Sequence, residues 1–347
     1  MKKILLLPLA LLALIPATSL LSQSQEKTTL SLFGFLEQQN DSIPVLKLDT
    51  DWGLLIRKKR EEEYQEGTLS FRNAAGEAVS LDVKLRARGN VRKEVCYYPP
   101  IKVKLQKKQL VALGLDPNFK SLKFALSCQG SRQYEDCLLR EALAYKLYET
   151  VHPIYLKTKI VRLEGNEGDK NKFSFYALLI EDEDEFAARI NGRVLGQGIV
   201  RVSSLNRDAY LKMCFFQYMI SNVDWSVSNK HNLEIVQSPG FERAVPVPYD
   251  FDYAGFTGTH YAVPAPTLPI KNVNERYFLG FYVTETEALQ TAAFFRALKE
   301  DILQRCANFS LLDDRAHNSI ERNLSKFFDV LEDEKKIRRE FVNNFKE

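Results

Sequence analysis

The chain has 347 residues, and its 48 basic and 45 acidic side chains leave a formal net charge of only +3. That balance lacks the basic excess of a nucleic-acid-binding surface, so we expect no nucleic-acid partner. After removal of the N-terminal segment described next, roughly 320 residues remain. They are too many for one small core and suit one large two-lobed unit or two domains.

The first 25 residues have the pattern of an export signal. Lys2 and Lys3 precede an apolar run from Ile4 to Ala17, and small residues follow at 17–19. The apolar run is about 14 residues long, whereas a bilayer-spanning helix needs roughly 20. We therefore expect residues 1–25 to be a signal peptide, the protein to be exported to the periplasm or the extracellular space, and the mature chain to have no stable membrane span.

The N-terminal half reads mainly as β-strands. Apolar residues alternate with polar ones between about residues 43 and 125, and the helical apolar pattern that follows could be capped by Asp136 and run to about Thr150. Strands then return before the acidic run at 181–185. The predicted strands are Val45–Leu48, Gly67–Phe71, Val79–Arg88, Ile101–Leu105, Tyr155–Leu163 and Phe173–Ile180.

The C-terminal half reads mainly as helices. A strongly apolar helix is predicted over Asp208–Ile220, and the tail from Glu285 to Phe345 has the stripes of three amphipathic helices. The sequence therefore predicts an α+β fold of two lobes. A strand-rich N-terminal lobe with one helix covers residues 26–185, and a helical C-terminal lobe covers residues 186–347.

Five cysteines in an exported chain favour at least one disulfide, and their odd number leaves at least one thiol unpaired. Cys214 and Cys306 lie in apolar helical stretches, where we expect them to be buried. Spacing alone does not fix the connectivity. We favour the pair Cys96–Cys128, whose loop closure is worth roughly 3–4 kcal/mol on the chain-entropy estimate.

Polar side chains that suit a metal site occur between residues 222 and 252. Asp224 follows the predicted buried helix, and a turn at 238–240 joins two strands. Counting back from that turn places Asn232 opposite about residue 247, so Asn232 and Asp250 should lie at the same open end of one hairpin. Such oxygen ligands suit Mg²⁺, which takes one or two carboxylates and completes its shell with phosphate oxygens and water.

Basic residues upstream could face a phosphate. Arg88 and Gly89 end one predicted strand, and Lys102 and Lys104 lie on one face of the next. Glu141, on the following helix, could form an ion pair with one of these lysines. Each feature also has an ordinary interpretation, because alternating lysines are typical of the solvated face of a sheet, and Asp-x-Asp is common in surface turns.

These stretches, taken in order, resemble proteins of the CotH (spore coat protein H-like) family over about residues 80–260. The resemblance implies an atypical protein-kinase-like fold, ATP with Mg²⁺ or Mn²⁺ as cofactors, and a protein acceptor whose hydroxyl receives the phosphate. The residues that carry it are the five segments Arg-Ala-Arg-Gly-Asn at 86–90, Pro-Ile-Lys-Val-Lys-Leu at 100–105, Leu-Leu-Arg-Glu-Ala-Leu-Ala-Tyr at 138–145, Asn-Val-Asp at 222–224 with Asn232, and Pro-Tyr-Asp-Phe-Asp at 248–252.

The resemblance also implies roles for individual residues. Asp224 is the expected catalytic aspartate. Asn232 is an expected metal ligand, and Asn229 is its rival because Asp-x4-Asn is the usual kinase spacing. Asp250 takes the place of the metal-binding aspartate of the DFG triplet, and Asp252 stands where that triplet has glycine. The expected nucleotide contacts are Arg88, Gly89, and Lys102 or Lys104, with Glu141 positioning the lysine.

The sequence lacks the G-x-G-x-x-G loop that covers the phosphates in protein kinases. A second interpretation is therefore a kinase-fold protein without catalysis that serves binding or assembly at the cell surface or in the periplasm. A third is a hydrolase using Asp224, Asp250 and His231, but neither a nucleophile elbow nor a paired-histidine motif accompanies them. The acceptor, and whether phosphate or AMP is transferred, stay open.

Overall fold

A computed structural model describes residues 29–39, 43–61, 63–196 and 198–342. The expected signal peptide at residues 1–25 lies outside the described residues. The strands are β1 (Val45–Asp49), β2 (Gln65–Arg72), β3 (Ala78–Ala87), β4 (Ile101–Leu105), β5 (Ser121–Leu126), β6 (Thr158–Glu167), β7 (Lys170–Ile180), β8 (Arg193–Val194), β9 (Leu233–Gln237) and β10 (Val245–Pro248).

The helices alternate with these strands in the first half of the chain and dominate the last quarter. They are α1 (Leu32–Glu37), α2 (Trp52–Arg57), α3 (Val91–Val95), α4 (Lys107–Ala112), α5 (Arg132–Val151), α6 (Glu183–Arg189), α7 (Arg207–Met219), α8 (Glu285–Ala297), α9 (Lys299–Ala307), α10 (Asp314–Leu331) and α11 (Glu334–Phe341). Short 3-10 turns cover Val202–Ser204 and Phe251–Tyr253.

Seven strands of the N-terminal half close into a barrel in the order β1-β2-β3-β4-β5-β7-β6. All neighbours are antiparallel except β1 and β6, whose parallel pairing closes the barrel. Because side chains alternate along a strand, every second residue points inward and forms the barrel core. Representative members are Leu48, Leu69, Leu85, Val103, Phe124, Leu163 and Phe175.

A second apolar cluster covers one outer face of the barrel and extends through the helices. The 20-residue helix α5 contributes nine residues to this cluster and packs against α7, α9, β6 and β7. The outward-facing residues Ala125, Leu178 and Ile180 belong to this second cluster, although their strand neighbours belong to the barrel core. α5 therefore joins the barrel to the helical part of the molecule.

The α+β composition is as expected, with strands in the first half and helices at the end, but several elements differ. We expected one helix in the N-terminal part, whereas the described residues before α5 form four further short helices. We expected three helices after residue 285, and the structure has four, because the chain turns at Leu298 between α8 and α9. The two-lobe boundary near residue 185 stays a prediction.

Helix α5 begins earlier in the chain than the sequence predicts. The helix begins at Arg132 and has Ser131 at its N-cap position, whereas we expected Asp136 to be the cap. Asp136 instead lies one turn inside the helix, where its carboxylate pairs with Arg132 at 3.0 Å. An acidic residue in the first turns of a helix and a capping residue give the same sequence signal, which explains the error.

The favoured disulfide Cys96–Cys128 is present in the structure, with the two Cα atoms 4.6 Å apart. Cys137, Cys214 and Cys306 are free thiols, and the last two are buried as expected. The disulfide ties the end of α3 to the end of β5. No helix among the described residues is long and apolar enough to cross a membrane.

Candidate functional site

A cavity of about 340 Å³ brings together three distant parts of the chain. They are the segment after β3, the loop between α7 and β9, and the segment after β10. Seven of the expected catalytic, nucleotide-binding and metal-binding residues line this cavity: Arg88, Gly89, Asp224, Asn229, Asn232, Asp250 and Asp252.

Asp224 lies in a loop that is fixed by buried polar residues. Ser221 leaves α7 with a left-handed backbone, φ +54°. The buried side chain of Asn222 accepts a hydrogen bond from the Asp224 amide at 3.0 Å and donates one to the Gln217 side chain at 2.9 Å. Asp224 is therefore held through Asn222 by Gln217, which lies near the end of α7.

Both carboxylate oxygens of Asp224 contact the two residues just before β9. His231 Nε2 lies 2.9 Å from Asp224 Oδ1, and Asn232 Nδ2 donates to Asp224 Oδ2 at 3.0 Å. The hydrogen bond to Asp224, opposed by burial, raises the pKa of His231. Asn232 Nδ2 also donates to the Asp224 carbonyl at 2.8 Å, so the amide spans the loop. These contacts orient the carboxylate.

Asn232 and Asp250 lie at the same open end of one hairpin, as expected, although the register differs. β9 and β10 pair with Leu233 opposite Pro248, which places Asn232 opposite Tyr249 rather than residue 247. The Tyr249 amide donates to the Asn232 carbonyl at 3.1 Å. Both Asn232 and Asp250 have left-handed backbones, with φ of +53° and +58°.

The backbone at Asp250 is held in place from α5. The phenol oxygen of Tyr145 accepts a hydrogen bond from the Asp250 amide at 2.8 Å. A left-handed conformation costs a non-glycine residue energy and persists only where the surroundings impose it. Within the described part of the chain, the Asp250 carboxylate accepts no hydrogen bond and forms no ion pair, so it lines the cavity without a protein partner.

A buried ion pair borders the cavity, and its arginine, Arg92, is one of the lining residues. Arg92 Nη1 is 3.4 Å from Glu141 Oε2, and Arg92 Nη2 donates to the Leu126 carbonyl at 2.5 Å. Both side chains are at least nine-tenths buried. Burial, partly offset by Arg92, raises the pKa of Glu141. Arg92 Nε and Glu141 Oε1 make no hydrogen bond with the described residues, which leaves two buried polar atoms without a partner.

Asp252 also lies against this guanidinium. Its Oδ2 is 3.9 Å from Arg92 Nε and accepts a hydrogen bond from the Tyr261 phenol at 2.7 Å. Only 4% of Asp252 is exposed. Burial and the neighbouring Asp250 raise the pKa of Asp252 well above its usual range. Asp252 therefore already has protein partners, unlike Asp250.

The expected pairing of Glu141 with Lys102 or Lys104 is wrong. Glu141 pairs with Arg92, and neither lysine lines the cavity. Lys102 Nζ lies 3.6 Å from Asp182, and the ammonium of Lys104 lies 4.1 Å from the ring centroid of Tyr64 on the outside of the barrel. The pleat explains this placement, because the inward positions of β4 are filled by its apolar residues.

The donor set fits a divalent cation only in part. Among the described residues, no three His, Cys, Asp or Glu side chains come together in a way that could hold a metal ion. The unpartnered Asp250 carboxylate and the Asn232 amide oxygen do fit a cation that keeps phosphate and water ligands, as Mg²⁺ does. Asn229 is exposed and accepts from the His231 amide at 3.3 Å, and Asp252 is engaged elsewhere.

Sequence reasoning missed Arg92, Tyr145 and the contact of Tyr261 with Asp252. Arg92 lies in a short charged stretch, Arg92-Lys93-Glu94, that reads as an exposed turn. No feature of the neighbouring sequence marks Arg92 as buried. Its position depends on the disulfide at Cys96, which fixes the five-residue helix α3. Tyr145 does lie in one of the segments that carry the resemblance, but its hydroxyl contact depends on how α5 packs against Asp250.

No protein-family model matches this chain, and no curated protein matches it. Among solved structures, the chain is similar to a crystal structure of a Helicobacter pylori proinflammatory kinase, CtkA. The TM-score is 0.38 and the identity 9%, over 69% of this chain and 94% of the other.

Proposed function

We propose that this chain is an exported phosphotransferase of the atypical kinase type. It uses ATP with Mg²⁺ or Mn²⁺ and transfers a phosphoryl group to a protein hydroxyl. The observation that carries the proposal is the pair of Asp224 and Asp250 in one cavity. Asp224 is oriented by two neighbouring side chains, whereas Asp250 has a constrained backbone and an unpartnered carboxylate.

In the proposed reaction, the acceptor hydroxyl oxygen bonds to the γ-phosphorus of ATP while the bond from that phosphorus to the β,γ-bridging oxygen breaks, and ADP leaves. Asp224 accepts the hydroxyl proton, and its bonds to His231 and Asn232 keep the carboxylate in one orientation. Asp250 and Asn232 would hold the divalent ion, whose charge offsets that of the phosphates when it is bound.

The cations for the phosphates come from residues that line the cavity. Arg88 follows β3 at the cavity wall, next to Gly89, whose φ of +81° favours glycine at that bend. Lys230 also lines the cavity, and its ammonium donates to the carbonyls of Leu195 and Gly196. We assign these two side chains the role that we had expected of Lys102 and Lys104.

A thermal unfolding series tests the proposal. Mn²⁺ with ATP at about 100 times its Kd should stabilise the protein by about 2.7 kcal/mol, and the stabilisation should vanish in Asp250→Ala. Asp224→Asn should keep the stabilisation but lower ADP formation by about 100-fold or more, because it loses only the proton acceptor. Asp329→Ala, which removes an exposed carboxylate on α10, is the matched control and should behave as the unaltered chain does.

The second candidate is a kinase-fold protein that binds or assembles without catalysis. The Arg92–Glu141 pair favours this candidate, since Glu141 is not free to position a lysine, and Asp252 is held by Tyr261. In that case neither Mn²⁺ nor ATP should raise the unfolding temperature at any concentration. An unchanged unfolding temperature would contradict the proposal of a phosphotransferase and would favour the binding protein.

A further inference from the structure

A second cavity, of about 660 Å³, lies at the N-terminal ends of α5 and α10 and contains four arginines. Its wall is formed by these two helices and by the turn at Thr257 and Gly258. It shares no lining residue with the cavity around Asp250. The arginines that line it are Arg132, Arg140, Arg315 and Arg322.

Two facing helical stripes place these arginines. On α5, Arg132, Asp136 and Arg140 recur at intervals of four residues and lie on one face. On α10, Arg315 and Arg322 are seven residues apart and lie on the face turned to the cavity. Arg132 Nη2 donates to the Leu311 carbonyl at 3.1 Å, which ties the start of α5 to the segment just before α10.

The two acidic residues of the cavity are already engaged. Asp136 pairs with Arg132 at 3.0 Å, and Asp313 caps α10 by accepting a hydrogen bond from the Ala316 amide at 2.8 Å. Within the described part of the chain, Arg140, Arg315 and Arg322 have no carboxylate within ion-pair distance. Four positive charges against two negative ones leave the cavity wall with a net charge of +2.

The charge of Arg140 is also partly desolvated. Burial lowers the pKa of Arg140, and the nearby acidic groups only partly compensate. Like charges gathered around one cavity repel each other, and an anion between them would remove that cost. Guanidinium groups bind phosphate oxygens in a forked geometry, and a phosphate monoester carries a charge of about −1.5 to −2 near pH 7. The ligand that matches both charge and geometry is a phosphoryl group.

We propose that the cavity between α5 and α10 binds a phosphoryl group, held by Arg140, Arg315 and Arg322. The site is separate from the proposed nucleotide site and does not depend on the function proposed for it. The phosphoryl group is either free phosphate or a phosphorylated serine side chain, and the chemistry that recognises both is the same.

Calorimetric titration of the full chain with inorganic phosphate, and separately with phosphoserine, tests the proposal at an ionic strength of about 0.15 M. We expect one phosphate to bind, and Arg315→Gln with Arg322→Gln to raise its Kd by about tenfold or more. The charge-matched control is Arg305→Gln with Lys326→Gln, two exposed cations on α9 and α10 that do not line the cavity. This control should change the Kd by less than about twofold.

Two further variants keep the result clear. Arg315→Lys with Arg322→Lys retains the charge and should bind phosphate more tightly than the glutamine pair does, whereas a variant that merely misfolds would not be rescued in this way. Arg88→Gln, in the other cavity, should leave the Kd for phosphate unchanged. Tighter binding of phosphoserine than of phosphate assigns the site to a phosphorylated side chain, and equal binding assigns it to free phosphate.

The proposal is overturned by any of three results. The first is that neither compound binds at concentrations up to about 10 mM. The second is that the glutamine pair binds phosphate as the unaltered chain does. The third is that Arg88→Gln, and not the glutamine pair, removes the binding.

Discussion

Arg92 is the residue on which the buried charges beside the cavity depend. Its guanidinium lies against Glu141 and Asp252, and all three side chains are buried. A buried carboxylate that loses its cation cannot regain the solvation it had in water, so the cost of breaking such a pair greatly exceeds that of breaking an exposed one. Arg92 therefore supports the fold and also sets the charge below the candidate site.

Arg92→Met is expected to lower the free energy of unfolding by about 3–5 kcal/mol, because it leaves two buried carboxylates without a cation. The matched control is Arg162→Met. Arg162 lies at the same 3.4 Å from its partner Glu135 but is 35% exposed, and its loss should cost at most about 1 kcal/mol. Urea unfolding of both variants measures the difference.

Adding Glu141→Gln to Arg92→Met should recover about 1 kcal/mol or more, because one of the uncompensated charges is removed. Equal losses in Arg92→Met and Arg162→Met would contradict this account of the ion pair.

At the scale of elements, the disulfide determines where the segment after β3 lies. The segment from Arg88 to Pro100 carries Arg88, Gly89 and Arg92, and its only helix is the five-residue α3. Cys96, at the end of α3, is bonded to Cys128, which follows β5, and the Tyr98 amide donates to the Cys128 carbonyl at 3.2 Å. A helix of five residues has little stability of its own, so α3 depends on the disulfide to hold its position.

Replacing both Cys96 and Cys128 by serine is expected to lower the free energy of unfolding by about 4 kcal/mol, because the unfolded chain regains the freedom of a 32-residue loop. The test compares unfolding with and without a reducing agent. Reduction should destabilise the unaltered chain and leave the double serine variant unchanged. A reductant effect of similar size in both proteins would show that the disulfide is not its cause.

At the scale of the whole molecule, two apolar clusters share the strands β5 and β7. Residues of β5 and β7 alternate between the barrel core and the helical cluster, so the two cannot separate without exposing one face of those strands. We therefore expect the described chain to unfold in one cooperative step.

The two tryptophans of the sequence report on the two clusters separately. Trp52 belongs to the barrel core, where its ring lies 4.6 Å from that of Phe173, and Trp225 belongs to the helical cluster. During urea unfolding, the fluorescence of Trp225→Phe, which retains Trp52, should report the unfolding of the barrel. The fluorescence of Trp52→Phe, which retains Trp225, should report the unfolding of the helical cluster. After correction for the stability of each variant by circular dichroism, the midpoints should agree. Midpoints more than about 0.5 M apart would indicate two units that unfold independently.

The sequence by itself determined much of the local structure. Alternation located six of the seven barrel strands, because a pleated strand buries every second residue, and apolar periodicity located α5, α7 and the C-terminal helices. It missed β5, whose residues are buried on both faces. The turn at 238–240 was enough to place Asn232 and Asp250 at one end of a hairpin. Residues 1–25 have the composition of an export signal, although they lie outside the described structure.

Only the tertiary structure decided the partners of the charged residues. Lys102 lies in a predicted strand and Arg92 in a short charged stretch, and neither local pattern shows which of them pairs with Glu141. Which of them meets Glu141 depends on the closure of the barrel by β1 and β6 and on the disulfide, both of which join residues far apart in the chain. Local propensity carries no information about such contacts, because the free energy that selects them is released only when the distant segments pack.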